Sequence, residues 1–201
     1  MKIYDRPDAP NPRRLRIFVA EKGLSIPYET IQAGKNRTPE FFAKNPAGGL
    51  PVLELDDGTC IAESVAICRY LEGMYPEPNL MGREFTEQAI IEMWSRRIEL
   101  NLFGPAGRAF FHTDPRFANL PIKQFPDYGE SQRNLARFQL AWLDGQLKDK
   151  EFIAASRFTI ADIHALVAID FATRAGIALD PVLTELTRRY HAISSRPGAR
   201  A

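Results

Sequence analysis

The stretch from Asn45 to Leu71 constrains the fold most, because it predicts a hairpin followed directly by a helix. A short apolar strand opens at Leu50-Pro51, and an Asp-Asp-Gly turn at residues 56–58 leads into a second strand at 59–62. A helix with apolar periodicity starts just after Glu63-Ser64. We therefore expect a strand edge beside a helix N-terminus, an arrangement suited to binding a peptide.

Strand and helix patterns alternate before this stretch as well. Lys2–Tyr4 and Pro27–Ile31 are typical of short strands, and Pro39–Ala43 of a single helical turn. Between the strands, Asn11-Pro12 predicts a helix start with Asn11 as N-cap, and Gly23 a helix end. The order β-α-β-α-β-β-α predicts an α/β sandwich around a small mixed sheet.

Strand patterns nearly vanish from Arg83 onward. Gly104-Pro105 should kink or interrupt the first long helix, and the proline-rich connection from Thr113 to Tyr128 is long enough to suggest a lid or an interface. A final helix is expected over about Pro181–Ile193. The second half of the chain is therefore predicted to be all-helical.

A capping box is predicted at the helix that follows Phe158. Thr159 would be the N-cap with Asp162 at the third helical position, and Phe158 and Ile163 occupy the positions of a hydrophobic staple. The proline-rich segment Pro76–Met81 is the expected linker. We therefore expect two domains, an α/β domain at 1–79 and an all-α domain at 84–201.

Composition excludes several classes of protein. The chain is 45% hydrophobic and 25% charged, without an apolar run long enough to span a membrane, and its net charge of +1 gives no indication of nucleic-acid or membrane binding. Its two cysteines, Cys60 and Cys68, have neither CxxC nor zinc-site spacing, and the first twelve residues are too polar for a signal peptide. We expect a cytoplasmic protein without a metal or disulfide framework.

Four segments together resemble the glutathione S-transferase family across nearly the whole chain. They are APNPRRLRIFVAEKG at the first helix, NPAGGLPVLELDDG around Pro51, AESVAICRYLE at the next helix and FTIADI in the helical half. The resemblance implies a thioredoxin-like N-terminal domain, a helical C-terminal domain and a homodimer. It also implies a detoxifying enzyme that adds the glutathione thiolate to small hydrophobic electrophiles. The nearest match is a fungal and bacterial subclass with alanine and proline in place of the catalytic hydroxyl.

The resemblance assigns much of the glutathione site to the opening stretch. The proline that matches Pro51 is cis in the family and turns the backbone of Leu50 outward to pair with the cysteinyl part of glutathione. Ser64, at a helix N-terminus, would hold the γ-glutamyl carboxylate, while Glu63 would receive the ammonium group. The structural alternatives are a tight turn at Pro51 and a helix cap at Ser64.

The glycine carboxylate of glutathione would be held by Lys35 or Asn36, and the sequence leaves the choice open. Both follow the second strand, where family members place a side chain against this carboxylate. Gly49 stands where some relatives have a lysine that binds this carboxylate. Since glycine has no side chain to do so, Lys35 or Asn36 is more needed for this role.

The group that activates the thiol is less clear from the sequence. The thiolate is the effective nucleophile, yet Asp8–Asn11 offers neither a hydroxyl nor a thiol to stabilise it. Tyr4 fits the core better than the site. The helix N-terminus at Asn11 and the Asn11 side-chain amide are two possible sources of stabilisation.

A third source is the helical domain. The atypical subclass is thought to use a serine and a histidine there, but this chain has Gly107 and Asn101 near those positions. Arg108 is the natural substitute, since a permanent cation lowers a thiol pKa, and His112 is a further candidate.

The electrophile is expected between the domains, against apolar side chains such as Phe110 or Phe111, with His112 nearby. Three alternatives stay open at this stage: a glutathione-dependent isomerase, a noncatalytic glutathione or ligand carrier, and a partner-binding module that keeps the fold without the ligand.

Overall fold

The computed structural model describes all residues 1–201 as two compact units. The first comprises Met1–Met81 together with Arg196–Ala201, and the second comprises Gly82–Ser195. The expected linker at Pro76–Met81 thus ends where the second unit begins. The last six residues, which we expected in the helical domain, belong to the first unit instead.

The first unit has the predicted order of elements around one mixed sheet. The elements are β1 (Lys2–Asp5), α1 (Pro10–Glu21), β2 (Tyr28–Thr30), a 3-10 turn (Lys35–Arg37), α2 (Pro39–Phe42), β3 (Val52–Glu54), β4 (Cys60–Ala62) and α3 (Ser64–Met74). The strands lie in the order β2-β1-β3-β4, with β1 and β2 parallel and the other two pairs antiparallel. This is the expected thioredoxin-like architecture.

The β3–β4 hairpin closes at the predicted acidic turn. The N–H of Leu55 donates to the carbonyl of Thr59 at 2.8 Å, and Val52 stands opposite Ala62 in the register. Gly58 adopts φ +85°, a left-handed conformation that glycine tolerates best in a short hairpin loop. The turn therefore fixes the register that brings β4 directly to the start of α3.

Helix α1 begins earlier than predicted. Its N-cap is Ala9, without a side-chain capping bond, and Pro10 occupies the first helical position. The assignment of Asn11 as N-cap was therefore wrong: Pro10, like Pro12, has the backbone angle that a first helical turn requires, and the helix starts at the earlier proline. Tyr4, in contrast, lies in the core as expected, 4% exposed.

The second unit is all-helical, as predicted. It contains α4 (Phe85–Ile98), a π-helical turn (Glu99–Phe103), α5 (Gly104–Thr113), a 3-10 turn (Pro115–Phe117), α6 (Pro126–Gln146), α7 (Ile160–Arg174) and α8 (Thr184–Ser194). Helix α7 runs through the core, since its first ten residues are all at most 3% exposed. No helix combines the length and apolar character needed to cross a membrane.

The predicted interruption at Gly104-Pro105 takes the form of the π-helical turn that precedes it. In a regular α-helix the ring of Pro105 would collide with the carbonyl of Asn101, and its missing N–H would leave that carbonyl without a donor. The wider turn accommodates the proline, so α5 follows α4 without a loop.

The capping box at the start of α7 is confirmed. Thr159 and Asp162 exchange the two reciprocal hydrogen bonds, and the N–H of Thr159 donates to Asp162 Oδ2 at 2.8 Å. The last helix, in contrast, starts at Thr184 rather than Pro181, because Asp180 forms a turn in which its Oδ1 accepts from the N–H of Val182.

Candidate functional site

A buried arginine lies beneath the N-terminus of α3. Ser64 is the first residue of α3, and its Oγ accepts a 2.9 Å hydrogen bond from Arg14 Nη1. Both side chains are buried, at 4% and 2% exposure. Because the serine oxygen already accepts from a cation, its own proton is available to donate to an anion.

The geometry does not fit Ser64 as a simple helix cap. The N-cap of α3 is Glu63, and no side chain caps this end of the helix. The first backbone N–H groups of α3 therefore remain available, and they add to the positive potential of the helix N-terminus. Serine hydroxyl, free N–H groups and the buried guanidinium together favour a carboxylate at this point.

Glu63 has an unusual backbone. Its φ is +68°, which among non-glycine residues is shared only by Asp149 in the other unit. Such a conformation costs of order 1–3 kcal/mol, and strained residues of this kind cluster at active sites and ligand-binding segments. The Glu63 side chain is exposed, and its carboxylate is free to receive a cationic group.

The backbone of Leu50 offers an unpaired strand edge. The Leu50–Pro51 peptide bond is cis, and the β1–β3 ladder begins only at Val52. Neither the N–H nor the C=O of Leu50 has a backbone partner. An extended peptide can therefore add its own hydrogen bonds at this position.

The structure distinguishes Lys35 from Asn36, the two loop residues that were candidates for binding a second carboxylate. Asn36 is buried, its Nδ2 donates to the carbonyl of Gly48 at 2.7 Å and its Oδ1 accepts from Arg6 Nη2 at 2.9 Å. Lys35 is exposed and forms no ion pair. Asn36 therefore holds the loop together, whereas Lys35 has a free charge.

The start of α1 has few hydrogen-bond donors. Pro10 and Pro12 have no N–H, and the N–H of Arg13 already donates to the carbonyl of Ala9 at 3.2 Å. Asn11 keeps a free backbone N–H, and its Oδ1 accepts from Arg14 Nη1 at 3.1 Å, which leaves the Nδ2 group to donate elsewhere. Tyr4 takes no part, since its hydroxyl donates to Glu54 Oε2 at 2.6 Å.

The candidates in the second unit lie along α5. Arg108 is exposed, and its Nε donates to Gln132 Oε1 on α6 at 2.7 Å. His112 accepts at Nδ1 from the N–H of Phe125 at 3.1 Å, so a neutral His112 has its proton on Nε2. The structure thus gives Arg108 an exposed charge and ties His112 to the segment before α6.

Aromatic rings surround Phe111 and His112. Phe111 lies 5.6 Å from Phe117 and 5.0 Å from His112, and Phe110 lies 5.4 Å from Phe171 between ring centroids. The connection between α5 and α6 therefore packs its aromatic side chains onto α5. This forms an apolar surface of the kind that binds small hydrophobic molecules.

Arg14 is the site residue that the sequence analysis missed. Two consecutive arginines, Arg13 and Arg14, are typical of the solvent-exposed surface of a helix. The signal was the helical spacing, because Arg14 lies three residues before Ile17 and four before Phe18 and thus on the buried face of α1.

Comparisons with known proteins agree on both halves of the chain. Residues 9–74 match the family model described as "Glutathione S-transferase, N-terminal domain", and residues 118–197 match "Glutathione S-transferase, C-terminal domain". The chain is 34% identical over 205 residues to glutathione S-transferase 2 of Saccharomyces cerevisiae, with 100% of the chain and 88% of that protein covered.

Other similar proteins include a solved structure and an isomerase. A glutathione S-transferase domain-containing protein of Marinobacter aquaeolei superposes with a TM-score of 0.94 at 39% identity, covering 98% of this chain and 99% of that one. The maleylacetoacetate isomerase of Pseudomonas aeruginosa is 29% identical over 195 residues, covering 90% of this chain and 85% of that protein.

Proposed function

This chain belongs to the glutathione S-transferase family of enzymes, and on that basis we propose that it adds the thiolate of glutathione to small hydrophobic electrophiles. The observation that carries the proposal is the Arg14–Ser64 pair at the N-terminus of α3, beside the free strand edge at Leu50. A carboxylate site and an unpaired peptide edge next to each other suit a small acidic peptide such as glutathione.

Each part of glutathione has a proposed partner in the first unit. Ser64 and the N-terminal N–H groups of α3 hold the γ-glutamyl carboxylate, and Glu63 receives the ammonium group. The cysteinyl backbone pairs with Leu50 next to Pro51. Lys35 holds the glycine carboxylate, and Asn36 supports it by fixing the loop to Gly48.

The thiol is activated without a hydroxyl in this proposal. Asn11 stabilises the thiolate with its backbone N–H and its Nδ2 group, which Arg14 orients through Oδ1. Arg108 is the proposed second source of positive charge. The site therefore acts by positioning the thiolate and lowering the free energy of its charged form, as in the atypical subclass without a catalytic Ser, Tyr or Cys.

The second substrate is proposed to bind at the aromatic surface around Phe111 and His112. A small hydrophobic electrophile would bury apolar area there, and the N–H at His112 Nε2 can donate to a polar group of the electrophile.

An isomerase is the second candidate function. The 29% identity with a maleylacetoacetate isomerase over most of both chains supports it. An isomerase would add the same thiolate to a double bond, allow rotation about the resulting single bond and then eliminate the thiolate to restore the double bond. Assays with cis-unsaturated diacids would distinguish it from a transferase, since product forms without consumption of glutathione.

The affinity for glutathione tests the proposed binding site. Ser64→Ala should raise the glutathione Kd roughly 10- to 100-fold, because a hydrogen bond to a charged group contributes about 1.5–3 kcal/mol. Glu63→Gln should weaken binding as well, through loss of the ammonium partner. Titration calorimetry measures both, and Ser25→Ala, at an exposed serine of the same unit, is the control. Unchanged affinity in both site variants would refute the assignment.

The absorbance of the bound thiolate tests the activation step. Asn11→Ala should raise the thiol pKa of bound glutathione, and Asn11→Asp should raise it further because it places a carboxylate near the sulfur. Arg108→Met should raise it as well. A thiol pKa equal to that of the wild type in all three variants would exclude both groups.

Finally, we propose a cytoplasmic homodimer with a role in detoxification. Exposed apolar side chains on the second unit support self-association, among them Met93 at 39%, Leu100 at 61% and Phe138 at 64% exposure. Sedimentation equilibrium measures the oligomeric state.

A further inference from the structure

Two polar contacts join helices α1 and α3, one near the start of each helix and one near the end. Arg14 Nη1 donates to Ser64 Oγ near the starts, and Lys22 Nζ lies 2.7 Å from Glu72 Oε2 near the ends. The two contacts are eight residues apart in both helices, which corresponds to about 12 Å along an α-helix. The helices therefore run in the same direction, with matched positions side by side.

The Lys22–Glu72 pair is buried and well supplied with hydrogen-bond partners. The Lys22 side chain is 0% exposed and the Glu72 side chain 12%. Lys22 Nζ also donates to the carbonyls of Tyr75 at 2.7 Å and Pro78 at 2.9 Å, so all three of its N–H groups have an acceptor. These contacts offset part of the hydration that the two charges lose on burial.

The second oxygen of Glu72 holds the segment that follows α3. Glu72 Oε1 accepts from the N–H groups of Leu80 at 3.0 Å and Met81 at 3.1 Å. It also accepts from Asn79 Nδ2 at 2.8 Å. Since Oε2 contacts α1 and Oε1 contacts residues 79–81, substitutions can separate the two roles of this carboxylate.

A buried ion pair fixes the position of one helix along another. Apolar side chains, such as the fully buried Phe18 of α1 and Cys68 of α3, pack through non-directional contacts that tolerate a small slide. An ion pair without access to water does not tolerate it, and buried polar groups are best attested as residues that set register. The Lys22–Glu72 pair therefore opposes movement of α1 along α3.

The N-terminal ends of these two helices carry parts of the proposed glutathione site. Asn11 lies in the first turn of α1, and Ser64 is the first residue of α3. A misplacement of about 1 Å in a group that positions a reactant can lower a rate on the order of 100-fold. The register of the two helices thus sets the distance between the group for the thiolate and the group for the γ-glutamyl carboxylate.

We propose that Lys22 and Glu72 are positioning residues for glutathione, an inference that rests on the function proposed above. They hold Asn11 in register with Ser64, so that one glutathione molecule reaches both residues at once. They act through the two helices, from the ends opposite to the site.

The double variant Lys22→Met, Glu72→Gln tests the proposal without leaving a buried charge unpaired. The glutamine oxygen still accepts from Leu80 and Met81, so the chain should fold. The KM for glutathione should rise about three- to tenfold, where tenfold corresponds to 1.4 kcal/mol. The thiol pKa of bound glutathione should rise as well, while the KM for the electrophile should not change. Steady-state kinetics and the absorbance of the thiolate measure these quantities.

Lys22→Arg is a second, conservative variant, which keeps the buried charge but arranges its donors in a planar fork. It should raise the KM for glutathione about two- to threefold, less than the double variant does. A KM equal to that of the wild type in either variant would overturn the proposal.

Asn79→Ala is the matched control, since it removes a contact of Glu72 with the segment after α3 and leaves the ion pair intact. Its KM for glutathione should equal that of the wild type. The same rise in Asn79→Ala as in the double variant would show that the pair acts through this segment, and would overturn the positioning role. If the wild type did not bind glutathione at all, the proposed function would fail and this inference with it.

Discussion

Arg14 illustrates how one buried charge can serve an anion site. A guanidinium at 2% exposure loses most of its hydration, and the hydrogen bonds from Nη1 to Ser64 Oγ and Asn11 Oδ1 offset part of that loss. Both recipients are residues with proposed roles, in carboxylate binding and in thiolate stabilisation. Arg14 is therefore a positioning residue for the γ-glutamyl carboxylate and for the thiolate of bound glutathione.

Arg14→Met should raise the KM for glutathione about five- to tenfold, because Ser64 loses the charged donor that frees its proton for the ligand. The kcat at saturating glutathione should fall as well, since the Asn11 amide is no longer oriented. Arg14→Lys should recover part of the KM effect by restoring the charge. Steady-state kinetics with a fixed electrophile measure both constants.

Arg96→Met is the control for this series, since Arg96 lies on α4, pairs with Glu92 and Glu99 and has no proposed role in the site. If Arg14→Met and Arg96→Met gave the same KM, Arg14 would have no specific role in glutathione binding.

Burial keeps Cys68 neutral, in contrast to Arg14, whose charge is buried. Cys68 lies one helical turn beyond Ser64 on α3 and is fully buried, and this burial raises the pKa of its thiol well above the usual range. A thiol held in its neutral form is a poor nucleophile. The proximity of Cys68 to Ser64 along the helix therefore does not make it a rival to the glutathione thiol.

At the scale of elements, the close approach of α5 and α6 depends on Gly129. A Cβ at this position would lie 2.6 Å from Cγ2 of Thr113 and 3.0 Å from Cβ of His112. Gly129→Ala should therefore lower the free energy of unfolding by about 1–3 kcal/mol, since the two helices must move apart. Urea denaturation measures the change.

Gly145 in the same helix provides a matched comparison, because no atom lies within 4 Å of the Cβ that alanine would add there. Gly145→Ala should stabilise the protein by up to about 1 kcal/mol through helix propensity alone. Equal effects at the two positions would contradict the packing argument.

The capping box of α7 contributes a pH-dependent term to stability. Desolvation raises the pKa of Asp162 from 3.8 to about 6, although the carboxylate accepts hydrogen bonds from Ile153, Thr159 and its own backbone. A raised carboxyl pKa means that the folded state holds its proton more tightly. The stability from this group is therefore complete below pH 3.8 and is lost as the pH rises through about 6.

Asp162→Asn should lower the free energy of unfolding at acid pH by about 1–3 kcal/mol, because one N–H loses its acceptor. The difference in unfolding free energy between wild type and variant should narrow as the pH rises through about 6. The wild type is then destabilised by a buried carboxylate charge, whereas the variant carries no charge at this position. Urea denaturation across this window measures it. Asp180→Asn is the control, because an amide oxygen can still accept from Val182. A deficit independent of pH would exclude the titration of Asp162.

Local signals predicted the elements whose causes are local. The Thr159–Asp162 box, the turn at Gly58 and the interruption before Pro105 each depend on residues a few positions apart, and each was found. The predicted starts of α1 and α8 were wrong, because in each case two local signals competed. Both Pro10 and Pro12 fit a first helical turn, and Asp180 draws Pro181 into a turn of its own.

Contacts between distant residues could not be predicted in the same way. Arg14 meets Ser64 across fifty positions of sequence, and Asn36 meets Arg6 across thirty. The sequence indicates that Lys35 and Asn36 are polar loop residues, but only the fold shows that Gly48 and Arg6 occupy the amide of Asn36. The family resemblance therefore predicted individual residues of the candidate site. It did not predict the hydrogen bonds from distant residues that hold those side chains in place.

At the scale of the whole molecule, the end of the chain returns to the first unit. Arg196 donates to Glu21 from Nε at 3.0 Å and from Nη2 at 2.6 Å, and Ala199 is 7% exposed. A Cβ on Gly198 would lie 2.5 Å from Glu21 Oε1, so the segment passes close to the end of α1. Residues 196–201 thus act as a strap on the helix that carries Asn11 and Arg14.

Removal of residues 196–201 should therefore destabilise α1 selectively. Hydrogen exchange should become faster in α1 and stay unchanged in α7, because α7 belongs to the second unit and the strap to the first. Glutathione affinity should fall in parallel, because Arg14 and Asn11 depend on the position of α1. Arg196→Gln, which removes the ion pair but keeps the buried Ala199, should give a smaller effect in the same direction. If the truncated chain kept the exchange rates of α1 and its glutathione affinity, the strap would have no role in the site.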